Sequence, residues 1–485
     1  MKSYSPRLVT CLLLLLSGLS LGPADGVRAA EDWIPLFDGE GLSGWKAAEH
    51  PEAFTVEDGA IVCSGPRAHL FYAGDDVENA DFRNFELKAS VKTARGTNSG
   101  IYFHTKYQES GFPAAGYEVQ INNTYPGSKS YYEYKKTGSL YGVRNQYKSI
   151  AQDDQWFTMH VAVVGNRVRI SVNDVLVVDY TEPAQLGRGG RRSGRSLSHG
   201  TFALQCHDPH SKVSFRDIMV KPLPDDASVP SANTPVVDAR YLQIASLHRR
   251  NFPLVDFHVH LKGGLTLEDA LANSRKTGIN YGIAPNCGLG FPITDDEGIY
   301  RFLESMKGQP VFLGMQAEGR EWVRLFSKEA IEKFDYVFSD AMTFTDDRGK
   351  RTRLWIKEEV EVRDKQAFME MYVDRILGVL NDEPIDVYVN PTFLPECIAD
   401  EYDALWTEPR MQKVIEAAVR NAVAIEINAR YRLPSVAFIK RAKQAGVKFA
   451  FGTNNGGKEL GRLEYCLEMI EACGLTAQDM FMPKR

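Results

Sequence analysis

Short runs in which apolar and polar residues alternate fill the first half of the chain, from Trp33 to about Pro222. Gly, Asn and Asp punctuate these runs, which is typical of strands joined by tight turns. Because no long helical period interrupts them, the pattern predicts an all-β sandwich or jelly roll. The predicted strands are Phe85–Val91, Gly100–Thr105, Tyr117–Ile121, Phe157–Val164, Val168–Val172, Val175–Tyr180, Thr201–Gln205 and Val213–Val220.

The pattern changes after residues 223–236, a segment rich in Pro, Asp, Ala and Ser that has the composition of a linker. Beyond it, apolar runs alternate with helical stretches, as they do in a parallel sheet with helices between its strands. Roughly 250 residues with six or more such units predict a distorted TIM-like barrel over 237–485. Its predicted elements are the strands Leu254–Phe257, Val311–Met315, Tyr336–Phe338, Val387–Val389, Ala424–Ile427 and Phe449–Phe451, and the helices Leu267–Thr277, Lys365–Leu380, Arg410–Asn421 and Ser435–Gln444.

The first residues have the layout of a secretory signal. Two basic residues, Lys2 and Arg7, precede an apolar run over Leu8–Leu21. In Val27-Arg28-Ala29, the small residues Val27 and Ala29 stand at positions −3 and −1 of a signal-peptidase site that cuts after Ala29. We therefore expect a signal peptide over 1–29 and export to the periplasm or the extracellular space. A membrane anchor is the rival interpretation, but the run is short for a span of about 20 residues. No stable membrane span is expected after cleavage.

Composition and charge narrow the possible functions. Charged residues make up 25% and hydrophobic residues 44% of the chain, which is ordinary for globular proteins. The net charge of −6 argues against a nucleic-acid partner, which would call for a basic excess or stripe. We expect no nucleotide cofactor either. All ten histidines lie at or before His260, so histidine chemistry is excluded from the last 225 residues.

A polar strip on one predicted strand suggests a binding face. Side chains alternate between the faces of a strand, so Glu118, Gln120 and Asn122 share one face of Tyr117–Ile121 and its extension. Tyr102 and His104 are expected to share a face of the preceding strand in the same way. Such a strip suits the concave face of a sugar-binding sandwich, although a solvated sheet face would also tolerate it.

Six motifs follow one another over about residues 32–222. They are WIPLFDG (33–39) with LSGW (42–45), SGIYF (99–103), GYEVQI (116–121), TGSLYG (137–142), Gln155-Trp156, and LQCH (204–207) with VSFRDI (213–218). In this order they resemble the 3-keto-disaccharide hydrolase family, whose members are also described as 3-keto-glucoside lyases and hydratases. The resemblance implies a concanavalin-like jelly-roll sandwich over 30–222 that acts on glycosides whose C3 hydroxyl is oxidised to a ketone.

The chemistry of such a substrate defines what its enzyme needs. A ketone at C3 acidifies the hydrogen on C2, so a base can remove it and the substituent at C1 can leave by elimination; water can then add back. This requires one base, one stabiliser of the enolate and one acid near the leaving oxygen. An ordinary glycosidase needs two carboxylates at a set separation. The polar residues that share a face with Glu118 are Gln120 and Asn122, so that face carries no second carboxylate.

Several residues are candidates for these roles. Glu118 is the expected base or metal ligand, and His207 suits a base, an acid or a ligand. His104 is a candidate stabiliser or ligand, and Lys135, Lys136 and Tyr141 are candidate donors. The substrate-binding candidates are Tyr102, Gln120, Asn122 and Trp156. The chain departs from the family pattern at His104, where an arginine is expected, and at Asn122-Asn123, where an acidic residue often follows.

A second motif opens the predicted barrel. His258 and His260 stand two apart at the end of its first strand, so both can face one cation. The segment resembles the polymerase-and-histidinol-phosphatase (PHP) family, which implies a distorted (β/α)7 barrel with a multinuclear metal centre. Other ligand positions carry Asn286, Asn390 and Asn454, and the late histidines are missing. One divalent cation is still possible on His258, His260 and Glu318, with Asp340 or Glu426 nearby; a hydrogen-bonded relict site is the alternative.

Three functions remain open from the sequence. The favoured one is an exported enzyme whose sandwich cleaves or hydrates 3-keto-glycosides, with a carbohydrate as substrate. In the second, the sandwich is a carbohydrate-binding module attached to a metal-dependent hydrolase barrel. In the third, neither site turns over a substrate and the protein only binds glycans.

Overall fold

The computed structural model describes residues 33–74, 80–128, 131–184, 195–228, 234–345 and 349–483. The expected signal peptide over 1–29 and part of the expected linker lie outside these ranges. In the described part of the chain, no helix is both long and apolar enough to cross a membrane.

The first half is built from short strands. They are β1 (Ile34–Pro35), β2 (Trp45–Ala48), β3 (Phe54–Glu57), β4 (Ala60–Ser64), β5 (Ala68–Tyr72), β6 (Asn84–Thr93), β7 (Ser99–Thr105), β8 (Tyr117–Ile121), β9 (Gly127–Ser128), β10 (Tyr131–Tyr132), β11 (Phe157–Val164), β12 (Arg167–Val172), β13 (Val175–Thr181), β14 (Thr201–Cys206) and β15 (Lys212–Leu223).

Two antiparallel sheets pack face to face into a sandwich. One has the order β13-β12-β11-β6-β15-β4-β3, with β1 on β15, and the other has the order β2-β5-β14-β7-β8. The inward-facing residues form one apolar core that includes Leu87, Val161, Ile101 and Val119. The predicted all-β sandwich is therefore confirmed.

Turn chemistry sets the register of the first sheet. Asn173 and Asp174 take positive φ angles of 47° and 62° between β12 and β13, the backbone that a two-residue hairpin turn requires.

All eight strands predicted from alternation are present, with ends that differ slightly. The five strands β1–β5 were not predicted; β4 and β5 are buried on both faces along most of their length, so they lack the alternation that marks a half-exposed strand.

The second half alternates strands and helices. The strands are β16 (Val255–Val259), β17 (Asn280–Ile283), β18 (Asn286–Gly288), β19 (Phe312–Glu318), β20 (Tyr336–Ser339), β21 (Thr343–Thr345), β22 (Arg351–Arg353), β23 (Val387–Tyr388), β24 (Ala424–Asn428) and β25 (Phe449–Gly452). The helices are α1 (Ala239–Arg249), α2 (Leu267–Thr277), α3 (Asp296–Ser305), α4 (Trp322–Leu325), α5 (Lys328–Ile331), α6 (Lys365–Asp382), α7 (Tyr402–Leu405), α8 (Glu408–Arg420), α9 (Val436–Gln444) and α10 (Glu464–Ala472).

Seven parallel strands close into a barrel. The order runs β17-β16-β25-β24-β23-β20-β19, and pairing of β17 with β19 closes the ring. The strand β18 continues the line of β17 along β19, after a break at Pro285, which has no N–H to donate. A seven-stranded barrel with intervening helices is thus confirmed, whereas its expected kinship with the PHP family stays a prediction.

Helix α2 shows how local sequence fixes the barrel's elements. Thr266 accepts a hydrogen bond from the backbone of Asp269, and the Asp269 side chain accepts one from Thr266, which is a reciprocal capping box. Gly278 ends the helix with a left-handed φ of 82°. These signals explain why the predicted range Leu267–Thr277 matches the observed helix.

The sandwich docks against the amino ends of the barrel strands, and residues 131–148 make most of the hydrogen bonds across this contact; Arg275 of α2 also donates to the Leu176 carbonyl of β13. The Asn280 side chain, at the start of β17, accepts from the Tyr147 N–H at 3.1 Å and donates to the Asn145 carbonyl at 3.0 Å. The Tyr147 hydroxyl donates to the Phe252 carbonyl at 2.7 Å, just before β16. Because the strands are parallel, their carboxyl ends lie at the opposite end of the barrel, away from this contact.

A neutral histidine completes the contact. Asn145 donates its backbone N–H to Nδ1 of His248 at 3.2 Å. Burial lowers the pKa of His248 to about 3, with nearby Arg144 acting in the same direction. The ring is therefore uncharged near neutral pH, which lets Nδ1 accept this hydrogen bond.

Candidate active site

A buried polar cluster lies on the second sheet of the sandwich, on the face that points away from the apolar core. Its residues come from the strands β5, β14, β7 and β8. Gln205 lies opposite His69, Gly100 lies opposite Gln120, and Tyr102 lies opposite Glu118. The alternate residues of β8, Val119 and Ile121 among them, enter the apolar core. The predicted division of faces is therefore correct for Glu118 and Gln120, but the polar face is buried rather than solvated.

Glu118 is the central carboxyl of this cluster and is only 5% exposed. The Gln205 Nε2 atom lies 3.0 Å from the Tyr102 hydroxyl and 3.5 Å from Glu118 Oε1, and the Arg195 guanidinium lies 3.5 Å from Oε2. A Cβ atom on Gly100 would come within 2.7 Å of Glu118 Oε1. Glycine at position 100 thus makes room for the carboxyl.

Burial and the neighbouring groups shift the pKa of Glu118 in opposite directions. Burial raises its pKa above the ordinary value of 4.5, while the charge of Arg195 and a hydrogen bond from Tyr102 oppose the rise. A buried carboxyl with a raised pKa in a polar cluster is characteristic of an acid–base catalyst.

A buried ion pair flanks this carboxyl. Lys135 Nζ lies 2.8 Å from Glu133 Oε1, and both side chains are buried. Two tyrosine hydroxyls donate to Glu133 Oε2, Tyr141 at 3.2 Å and Tyr131 at 3.3 Å. The pair belongs to the docked segment 131–148, so the barrel contact and the polar cluster share one stretch of chain.

The segment connects directly to Glu118. The Tyr141 backbone N–H donates to the Glu118 carbonyl at 2.9 Å, and Arg195 packs over the Tyr141 ring at 5.1 Å. The predicted site residues Lys135 and Tyr141 are therefore brought next to Glu118. Lys136 points elsewhere, and its ammonium donates to the Tyr125 carbonyl at 3.2 Å.

One row of the cluster carries buried polar atoms that have no partner among the described residues. They are both ring nitrogens of His69 and the Oε1 atoms of Gln120 and Gln205. Buried polar atoms are nearly always hydrogen-bonded, so a row of them fits a site that receives a ligand or water. Burial lowers the pKa of His69 to about 4, so near neutral pH its ring is uncharged and offers one N–H donor and one acceptor nitrogen.

His207 lies at the edge of the same cluster. Its Nδ1 lies 2.7 Å from Asp208 Oδ2, which leaves Nε2 as the nitrogen able to act on a ligand. The rings of Phe112 and Tyr125 flank it at 6.0 Å and 6.2 Å, and Phe112 also contacts His69 at 5.7 Å. Two residues that the sequence suggested as candidates, Glu118 and His207, therefore lie in or beside the same polar cluster.

Besides Lys136, three predicted site residues lie outside the cluster. His104 has a left-handed φ of 54°, which breaks the strand alternation; its Nε2 contacts the Arg83 carbonyl at 2.9 Å and its Nδ1 accepts from Ser198. Asn122 is used internally, since its Nδ2 donates to the Lys135 carbonyl at 2.9 Å. Trp156 stacks under Arg216 on the other sheet, 4.1 Å from the guanidinium carbon. Their expected roles in catalysis or binding are not supported by these positions.

Four residues of the cluster were missed by the sequence analysis: His69, Glu133, Gln205 and Arg195. Gln205 lies in the LQCH motif, whose resemblance already marked the segment, and Glu133 lies two residues before Lys135. His69 gave no signal, because β5 has no alternation and nothing local distinguishes its histidine from a core residue.

The predicted metal ligands gather at the carboxyl ends of the barrel strands. His258 Nδ1 lies 2.6 Å from Glu426 Oε1, and its Nε2 lies 3.2 Å from Gln316 Oε1. His260 Nδ1 lies 2.7 Å from the Ala284 carbonyl. Both nitrogens of His258 thus lie within hydrogen-bond distance of side-chain oxygens of the protein.

The remaining candidate ligands are also engaged. Asp340 accepts from the Met342 N–H at 2.9 Å and from Asn390 Nδ2 at 2.7 Å, and Glu318 accepts from Asn286 Nδ2 at 2.7 Å. Burial, reinforced by Asp340, raises the pKa of Glu318 to about 8. Within the described ranges, no group of three or more His, Cys, Asp or Glu side chains is arranged to hold a metal ion. The side-chain arrangement at the barrel mouth therefore does not fit the implied metal.

Comparison with known proteins bears on the sandwich. Residues 32–221 match a family model described as a 3-keto-alpha-glucoside-1,2-lyase-like domain. A 3-keto-disaccharide hydrolase of Bacteroides thetaiotaomicron is 28% identical over 171 residues, which are 31% of this chain and 59% of that protein. The chain therefore spans less than two thirds of that relative. The match supports a carbohydrate-acting domain of the hydrolase and lyase class in the sandwich.

Solved structures also resemble this part of the chain. A candidate glycosyl hydrolase from Parabacteroides distasonis is 24% identical, covers 40% of this chain and 96% of its own, and superposes with a TM-score of 0.35. A second from the same organism is 22% identical, covers 39% and 99%, and has a TM-score of 0.31.

Proposed function

We propose that the sandwich cleaves glycosides whose C3 hydroxyl has been oxidised to a ketone. The observation that carries this proposal is the carboxyl of Glu118, which lies buried among hydrogen-bond donors and has a raised pKa. The second nearby carboxylate, Glu133, is tied to Lys135 and two tyrosines, so the two do not form the pair that direct glycoside hydrolysis uses.

In the proposed reaction, Glu118 takes the proton from C2 and the electron pair of that bond forms an enolate toward the C3 oxygen. The enolate then collapses, a C1–C2 double bond forms, and the bond between C1 and the glycosidic oxygen breaks. A donor, for which His207 and Tyr141 are the candidates, protonates the leaving oxygen. Addition of water across the new double bond completes a net hydrolysis, with Arg195 and Lys135 supplying positive charge near the developing enolate.

The substrate experiment compares a 3-keto-glucoside with its unoxidised parent. Because the C2 hydrogen is acidic only beside a ketone, we expect the wild-type protein to release the aglycone from the oxidised compound alone. In D₂O, a product formed through elimination and rehydration carries deuterium at C2, which mass spectrometry detects. Equal cleavage of the unoxidised parent, or a product without deuterium, would exclude the elimination route.

His69→Asn tests the row of unpartnered atoms. If His69 contacts the sugar, the substitution should lower kcat/KM by about 100-fold, the lower end of what a positioned acid–base or hydrogen-bonding group contributes. The melting temperature should change little, because no protein hydrogen bond is lost. His160→Asn, on the other sheet beside Glu86, is the matched control. Activity of His69→Asn within twofold of wild type would remove His69 from the site.

A further inference from the structure

The barrel has a cavity of its own at the end away from the sandwich. It has a volume of about 390 Å³ and lies where the strands end, at residues such as Asn286, Glu318 and Asp340. This size falls within the range of small-molecule sites, and the carboxyl ends of barrel strands are where such sites form.

The floor of this cavity is a fixed set of polar side chains. Asn390 donates to Asp340 at 2.7 Å and accepts from Asn454 at 3.1 Å, and Asn286 donates to Glu318 at 2.7 Å. Gln316 also lines the cavity. Amides offer both donors and acceptors, and carboxylates add acceptors, so the floor matches a ligand with several hydroxyl groups.

The rim differs from the floor. The rings of Phe291, Trp355 and Tyr431 line the cavity, and Trp355 is 39% exposed. Lys262 and Arg430 line it too, both exposed, and Arg430 is held by a 3.1 Å hydrogen bond to the Asn454 carbonyl. Flat rings pack against the C–H face of a sugar ring, while two cations at one edge favour an anionic substituent.

We propose that the barrel mouth is a second ligand site, which binds a monosaccharide carrying an anionic group and does so without a metal ion. The hydroxyl groups of the monosaccharide hydrogen-bond to the amides and carboxylates of the floor. Its ring packs on Trp355, and its anionic group pairs with Arg430 and Lys262. Metal independence follows from the floor, because Asp340 and Glu318 accept hydrogen bonds from Asn390 and Asn286 and because no group of three ligating side chains is arranged for a metal ion in the described part of the chain. The site is separate from the sandwich cluster and does not depend on the function proposed there.

Binding to the full-length protein tests the proposal. Calorimetric titration with D-glucuronate and with D-glucose 6-phosphate should show saturable binding by at least one, and the tighter of the two identifies the anion as a carboxylate or a phosphate. D-glucose should bind at least tenfold more weakly, since it lacks the charge-assisted hydrogen bonds. Treatment with EDTA should leave the affinity unchanged.

Variants locate the site. Arg430→Ala should weaken binding about tenfold or more, and Trp355→Ala about three- to tenfold, whereas Arg432→Ala, an exposed neighbour paired with Glu468, serves as the control. Glu118→Gln should retain full affinity, which separates this site from the sandwich. No binding of either anionic sugar, equal affinity of Arg430→Ala and wild type, or loss of binding after EDTA would each overturn the proposal.

Discussion

Glu118→Gln is expected to lower kcat/KM on a 3-keto-glucoside by about 1,000-fold, within the range that a general base contributes. The amide has nearly the shape of the carboxyl and can still contact Tyr102 and Gln205, so the fold should be unaffected. What it loses is the ability to accept the proton from C2. Initial rates with a chromogenic 3-keto-glucoside measure the effect.

The same carboxyl sets the pH dependence. Glu118 must be ionised to act as a base, and its pKa is raised above 4.5 by burial. Activity should therefore be full above the raised pKa and fall as the pH drops through it, so the acidic limb of kcat/KM should lie above pH 4.5. Glu57→Gln, on an exposed part of β3, controls for a change of one carboxyl elsewhere. If Glu118→Gln kept activity within tenfold of wild type, another group would be the base.

Asn280→Ala, a substitution in the barrel, is expected to lower cleavage by the sandwich 10- to 100-fold. Asn280 is buried and makes two hydrogen bonds to the backbone of Asn145 and Tyr147. Its loss leaves both backbone groups unpaired, at about 1–3 kcal/mol each. The segment 131–148 would loosen, and with it Lys135 and Tyr141; a shift of about 1 Å in a catalytic group can cost 100-fold in rate.

Asn280 is expected to affect activity only by holding the segment 131–148 in place, so the test also measures the order of that segment. Hydrogen exchange should become faster in residues 131–148 of Asn280→Ala, while the strands of the sandwich core keep their protection. Asn421→Ala removes an exposed barrel asparagine whose side chain bonds to Asn381 rather than to residues 131–148, and it should change neither measurement. Unchanged activity together with faster exchange would show that the sandwich site tolerates a loose segment, contrary to this account.

Much of the fold follows from the order of polar and apolar residues, because half-exposed strands and capped helices have local signatures. The helix Leu267–Thr277 was predicted with its observed ends because of its caps, and the strand Tyr117–Ile121 because polar and apolar residues alternate along it, although both of its faces are buried. The strand β5 is buried along most of its length without such alternation and was missed. Closure of the barrel depends on pairing of β17 with β19, a long-range contact that no local pattern encodes.

The residues of the polar cluster in the sandwich could be predicted where they share one strand, but not where separate strands bring them together. Glu118 and Gln120 share a face by simple alternation, and Tyr102 lies opposite Glu118 on the next strand. His104 was misplaced because its positive φ cannot be read from strand alternation. His69, Gln205 and Arg195 join Glu118 only after β5, β14 and the stretch beginning at residue 195 are folded together, so their role depends on tertiary structure alone.

The direction in which the barrel faces has a consequence for the path of any sugar between the two sites. The sandwich contacts the amino ends of the barrel strands, and the barrel cavity opens at their carboxyl ends. The five residues of Val255–Val259 alone span about 17 Å of tightly packed core between these ends. Under the two proposals, a sugar released by the sandwich would therefore pass into bulk water and diffuse around the barrel before entering the cavity, where it would compete with every other sugar in solution.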